Sequence, residues 1–363
     1  MISTVLYLSV FFATSILSAY SVRLDDYLVE EKVKKIFFMM FILFIPSFFA
    51  GIRYGIGTDY NNYSDIFTAI HTGVGNNPTE IGYTILNAIV GKLGGNVQIV
   101  FFIMSFLTMF FVYLFLMDYR KSISVGIGML VFLTMFYNMS YNIVRQVLAI
   151  TISLYAMRCI DKQKPKSFIF FVLFAMTFHA GAVIILPLYF VYNSFPNKRK
   201  LYRIVIYIVY FLALTNYQTI VEFVSLNILD TEKYLYLTRD AGENLALGTV
   251  VQYAPQLLIG FVFYDELMEG NKSFKFYYFL LVIGYLTGLL PAFGAPIVLR
   301  RINSFFTISN VWLLPYYYRH FKNKENYSWL VPIVIIYMLL FWFVMYIMSG
   351  NAETVPYNTI FNI

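Results

Sequence analysis

The stretch Gly51–Tyr63 (GIRYGIGTDYNNY) crowds Arg53, Gly57, Thr58, Asp59, Tyr60, Asn61 and Tyr63 into one short run at the end of an apolar segment. A helix leaving a membrane needs only a few interfacial aromatics or cations, so this density of hydrogen-bonding groups reads as a binding surface. Three further arginines stand in comparable places. Arg145 opens NIVRQVLAITISLYA, and Arg300 with Arg301 precedes the aromatic run INSFF. A guanidinium offers a planar fork that grips phosphate oxygens in pairs, so these residues point to an anionic ligand. His179, in TFHAGAVII, and Asp59 are the groups able to take up a proton.

Composition decides what must position them. Of the 363 residues, 60% are hydrophobic and 12% charged, with a mean hydropathy of +0.69; an ordinary soluble domain carries about 25% charged residues. The expected fold is an all-α polytopic integral membrane protein, one transmembrane domain over 1–363. Apolar runs near 2–22, 36–52, 97–117, 123–139, 143–160, 201–221, 249–264, 276–292, 302–318 and 327–348 predict about ten full spans. The first run lacks a basic leader and a small-residue cleavage site, so it reads as a retained helix. The single Cys159 has no partner for an internal disulfide.

The connecting segments alternate in charge. Lysines and arginines gather at 23–35, 120–121, 162–166, 198–200, 272–275 and 322–324, whereas the expected external loop 53–96 holds only Arg53 and Lys92. Positive loops lie in the cytoplasm, which makes both termini extracytoplasmic. The net charge of +7 follows from this bias and gives no support to nucleic-acid binding. On the outer side stand Arg53, Lys92, Arg145, Lys233, Arg239, Arg300 and Arg301. Most of these are arginine, which topology alone does not require; snorkelling to the interface is the plainer account for Arg239.

Residues 167–192 lie between two basic loops and so must cross an even number of times or dip and return. Split at His179–Gly181, they give two arms of about a dozen residues, ~18 Å each, too short for full spans. A broken helical hairpin with His179 at its tip results. Broken backbone at membrane depth survives where protein buries it or water reaches it. A lone histidine in a bundle is ordinarily a packing residue, but an ionisable group at such a tip is a functional candidate.

Several of these phrases resemble the EpsG-like family of Wzy-type bacterial polysaccharide polymerases. The resemblance rests on Arg53 with Gly57-Thr58-Asp59-Tyr60 and Tyr63, on Arg145-Gln146 opening a helix, on Phe178-His179 followed by a small residue and an aliphatic run ending in proline, and on Arg300-Arg301. The tail Val355-Pro356-Tyr357 is a further echo. The stretch 222–248, the second long external loop, has no counterpart in the resemblance.

The resemblance implies a glycosyltransferase that joins polyprenyl-pyrophosphate-linked oligosaccharide repeats on the extracytoplasmic face of a bacterial cytoplasmic membrane. Its substrates would be a lipid-linked donor and a lipid-linked acceptor, with membrane lipid around it and a chain-length regulator or flippase protein as further partners. Arg145, Arg53, Arg300 and Arg301 would hold the donor pyrophosphate, His179 or Asp59 would be the base, and Tyr60, Tyr63 and Asn61 would meet sugars. No cofactor is expected. Metal ligation is not expected either, because Asp59 and Asp65 lack an Asp-X-Asp arrangement and no zinc-spaced Cys and His occur. Two rival classes are a lipid-linked oligosaccharide flippase, which typically shows internal repeats, and a membrane O-acyltransferase, which would draw a cytoplasmic donor. No repeat is visible, and the cytoplasmic loops are short and simply basic.

Overall fold

The computed structural model describes residues 2–27, 31–73, 79–194, 200–223, 226, 247–293 and 301–361. Among these the chain is helical throughout, with one isolated β-bridge between Arg53 and Thr359. It divides into two compact units, 1–186 with 314–363, and 187–313.

The first unit is built on α1 (Ile2–Tyr27), α2 (Lys32–Ile52) and α5 (Val97–Asp118), each long and apolar enough to cross a membrane. Between α2 and α5, the loop expected at 53–96 contains α3 (Tyr60–Thr72) and α4 (Ile81–Lys92). After α5, α6 (Val125–Phe132) runs into a π-helical turn at Leu133–Tyr137, and α7 (Val144–Asp161) packs on both α5 and α8 (Pro165–Met176). Helix α8 stops at Met176, His179 is extended with φ −157° and ψ 116°, and a 3-10 run occupies Ala180–Ile185.

The second unit carries α9 (Pro187–Ser194), α10 (Lys200–Thr215) and α11 (Tyr217–Phe223), the last two bent by 73° at Asn216. It continues through α12 (Leu247–Val262), α13 (Tyr264–Gly270) and α14 (Ser273–Gly288). Its core is aromatic, with Tyr277 stacked on Trp312 at 4.7 Å between ring centres. Helix α15 (Asn310–Phe321) begins in the second unit and ends in the first, and α16 (Leu330–Trp342), prolonged by a π-helical turn to Met348, belongs to the first.

Helices occupy each of the ten expected segments, but five are long and apolar enough to span, or six with the bent pair as one. The shortfall has visible causes. Helix α6 is eight residues long before its π-helical turn, α7 carries Arg145, Arg158 and Asp161 within 18 residues, and 302–318 is broken into short pieces.

The C-terminal tail folds back over the motif that follows α2. Tyr54 N donates to Asn358 O at 3.0 Å, Gly57 N to Glu353 O at 3.0 Å and Ile360 N to Ile52 O at 2.9 Å. Tyr7 OH donates to Thr354 O at 2.8 Å, and the buried Asn138 receives Trp342 Nε1 at 2.8 Å while donating to Thr354 Oγ1 at 2.9 Å. Gly57 sits at φ +96°, and a Cβ there would stand 2.5 Å from Asn142 Oδ1. Both facts demand glycine at this turn.

Candidate functional site

Helix α4 begins against the break in α8. Gly82 N donates to Thr177 O at 2.8 Å, and a Cβ on Gly82 would lie 2.7 Å from Thr177 Oγ1, so only glycine permits this approach. The docking carries Glu80, at the head of α4, to the residues around the break. Its carboxylate accepts from Arg145 Nη1, accepts from Ala180 N at 3.3 Å, and lies 3.4 Å from His179 Nδ1. The side chains are 22% (Glu80), 24% (Arg145) and 32% (His179) exposed, so the cluster is half-buried yet open to solvent.

Burial by itself would raise the Glu80 pKa. The His179 hydrogen bond and the Arg145 charge outweigh it and hold the carboxyl at about 2, so Glu80 is an anion at any physiological pH. Arg145 also lies over the Tyr83 ring at 5.6 Å, and its buried Nε has no protein hydrogen-bond partner. Tyr63 packs edge-on to Tyr83 at 5.8 Å. Burial raises the Tyr63 pKa, against the nearby Arg145. Chemically, the cluster joins an anion, a cation and an imidazole held through one nitrogen by a carboxylate. That is the arrangement which orients a histidine for proton transfer at its other nitrogen.

The other expected residues fall elsewhere. Arg53 is 1% exposed, its guanidinium sandwiched between the rings of Phe101 at 4.2 Å and Tyr141 at 4.4 Å. Arg53 Nε and Nη1 find no protein acceptor. Beside them is a cavity of about 10 Å³ edged by Ser105, Thr108 and Ser140, room for about one water. Two desolvated cation–π contacts stabilise by about 2 kcal/mol each, against several kcal/mol to desolvate an ion. The sandwich thus roughly offsets the burial, and the tail closes over it. Arg53 was expected to contact the donor; buried beneath ring faces, it offers no surface to one.

Tyr60 and Tyr63 are buried too, Tyr60 accepting from Gln98 Nε2 at 2.8 Å, so neither presents a ring face to a sugar. Asn61 is exposed and Asp59 half-buried at the head of α3. Arg301 is exposed at the start of a 3-10 turn in the second unit, while Arg300 lies outside the described residues, as does most of 222–248. Among the described residues, no three His, Cys, Asp or Glu gather as metal ligands.

Glu80 was not anticipated. In the sequence NNPTEIGYTIL it reads as an acid favourably placed at a helix start, and nothing local links it to residues 65 and 100 positions away.

Long apolar helices around such a half-buried charged cluster are those of a polytopic integral membrane protein. More particularly, the chain belongs to the EpsG family, whose model matches residues 35–359. Membership points to a function of the polysaccharide-polymerase type. No curated protein and no solved structure matches the chain.

Proposed function

We propose that this chain is a membrane glycosyltransferase that polymerises polyprenyl-pyrophosphate-linked oligosaccharide repeats, without a metal, on the outer face of the bacterial cytoplasmic membrane. The observation that carries the reading is Glu80 bridging Arg145 and His179. His179 takes the proton from a hydroxyl of the acceptor sugar. That oxygen forms a bond to the donor's anomeric carbon as the bond from this carbon to the pyrophosphate oxygen breaks. The leaving polyprenyl pyrophosphate gains negative charge, which Arg145 stabilises; preorganised groups of this kind contribute about 3–4 kcal/mol to such steps.

Glu80 fixes the imidazole and keeps Arg145 in place until the donor arrives. Arg300 and Arg301 are a second cation pair for the pyrophosphate. Asp59 and Asn61 are left to orient sugar hydroxyls, with Asp59 the alternative base. In this reading about ten helical segments cross the bilayer, the broken segment 167–192 is in addition a hairpin entering from the cytoplasmic side, and both termini lie outside. Chain-length regulator and flippase proteins are the expected partners. The test is polymerisation of a purified lipid-linked repeat. His179→Ala should lower turnover by about 10²- to 10⁴-fold while the protein still binds the lipid pyrophosphate and keeps its thermal midpoint; near-normal polymer from that variant removes His179 as the base.

A further inference from the structure

At the end of the first unit opposite the Glu80 cluster, a cavity of about 290 Å³ opens between the end of α1, the turn joining α5 to α6, and the end of α15. Arg23, Arg120, Arg319 and Lys322 line it, and among the described residues its lining includes no acid. Arg319 Nη1 donates to the carbonyls of Arg120 at 2.8 Å and Ile123 at 3.4 Å, which fixes its guanidinium in the lining. Arg120 is held likewise, donating from Nη1 to Met117 O at 3.0 Å. The remaining wall is mostly apolar, including Val22 within the α1 span and Val125 at the start of α6, with Ser124 and Tyr318 as its polar members.

The bias of positive loops to one side explains the sign of these residues. It does not explain why three separate chain segments bring four cations to one cavity. At the same end but outside the cavity lining, Asp118 accepts from Arg158 at 2.9 Å and also binds Lys162. A cleft of one sign with low-dielectric walls concentrates the opposite charge, and guanidiniums favour phosphate geometry. Basic pockets between membrane helices are suited to anionic head groups, and an apolar wall continuous with a span suits an amphiphile.

We propose that this cavity is a second anion site, binding a phosphate group supplied by a lipid head group or by phosphate free in solution. It is separate from the cluster at the opposite end and does not depend on the polymerase reading.

The experiment uses the full-length protein, stripped of lipid in neutral detergent. Its thermal midpoint is titrated with phosphatidylglycerol, with phosphatidylethanolamine, with sodium phosphate, and with sodium chloride at matched ionic strength. Phosphatidylglycerol should raise the midpoint. A rise with sodium phosphate as well would assign the site to free phosphate, and a rise with phosphatidylglycerol alone to a lipid. The double variant Arg23→Gln/Lys322→Gln should weaken the apparent affinity by about tenfold or more. Val22→Trp, which fills the cavity without changing charge, should do the same, and both should elute as folded protein. Lys162→Gln, which removes a cation outside the cavity, should bind as the wild type does. No shift with either phosphate probe, or wild-type affinity in both cavity variants, would overturn the proposal.

Discussion

Arg53 and Arg145 look alike in the sequence: each is an arginine at the edge of an apolar helix, followed by polar or small residues. The fold treats them oppositely. Arg53 is sealed between two aromatic rings beneath the returning tail, and among the described residues it forms no ion pair. Arg145 is half-buried and paired with a carboxylate that also holds a histidine. A buried guanidinium held between ring faces, out of reach of a ligand, acts through packing. An accessible one whose counter-ion is shared with a proton acceptor can exchange that counter-ion for a ligand. Access and the identity of the neighbouring anion, not the presence of arginine, separate the two roles.

The contrast breaks most readily at Arg53. Arg53→Ala should empty the space between Phe101 and Tyr141 and lower stability by about 3–5 kcal/mol, as for loss of a large buried side chain, with polymer yield falling in step with folded protein. A folded, stable Arg53→Ala that has lost only donor affinity would return Arg53 to the binding surface. At Arg145 the expectation is the reverse. Arg145→Lys preserves the charge facing Glu80, so the thermal midpoint should hardly move, whereas turnover should drop by about tenfold or more because an ammonium lacks the planar fork. Wild-type turnover in that variant would argue against pyrophosphate recognition at this position.

The smallest expected effect is on acid stability. Because the Glu80 pKa is depressed from 4.5 to about 2 in the folded protein, its ionised form stabilises the fold fully above pH 4.5, and this contribution is lost as pH falls toward 2. The stability difference between wild type and Glu80→Gln should therefore be flat above about pH 5 and shrink below it, read from thermal midpoints across that range. A difference that grows on acidification would mean the carboxylate is not held as an anion by His179 and Arg145.

Much of this was legible in the sequence, and the rest was hidden for a consistent reason. The apolar runs located the helices, and the His-Ala-Gly phrase located the break after α8, because both signals are local. The span count was less legible. Periodicity does not reveal that α6 passes into a π-helical turn or that 302–318 fragments. The 53–96 stretch was read as an external loop although it folds α3 and α4, since short amphipathic helices resemble polar connections. The burial of Arg53 and the place of Glu80 in the cluster were not legible because their surroundings come from far along the chain. Thr359 pairs with Arg53 from the C-terminus, and Ala180 meets Glu80 from 100 residues away. Side-chain type gave the chemistry available, while only the fold revealed which groups share a neighbour.

If Glu80 acts on turnover through His179, a double-mutant cycle will show the two side chains as one unit. Glu80→Gln alone should reduce the rate on the order of 10²-fold or more, as when a histidine loses its orienting carboxylate. In the His179→Ala background the same change should cost far less, leaving only what Glu80 contributes by holding Arg145, since residues acting as one unit are strongly non-additive. Additive losses in the double variant would contradict the account, showing that the two side chains contribute independently.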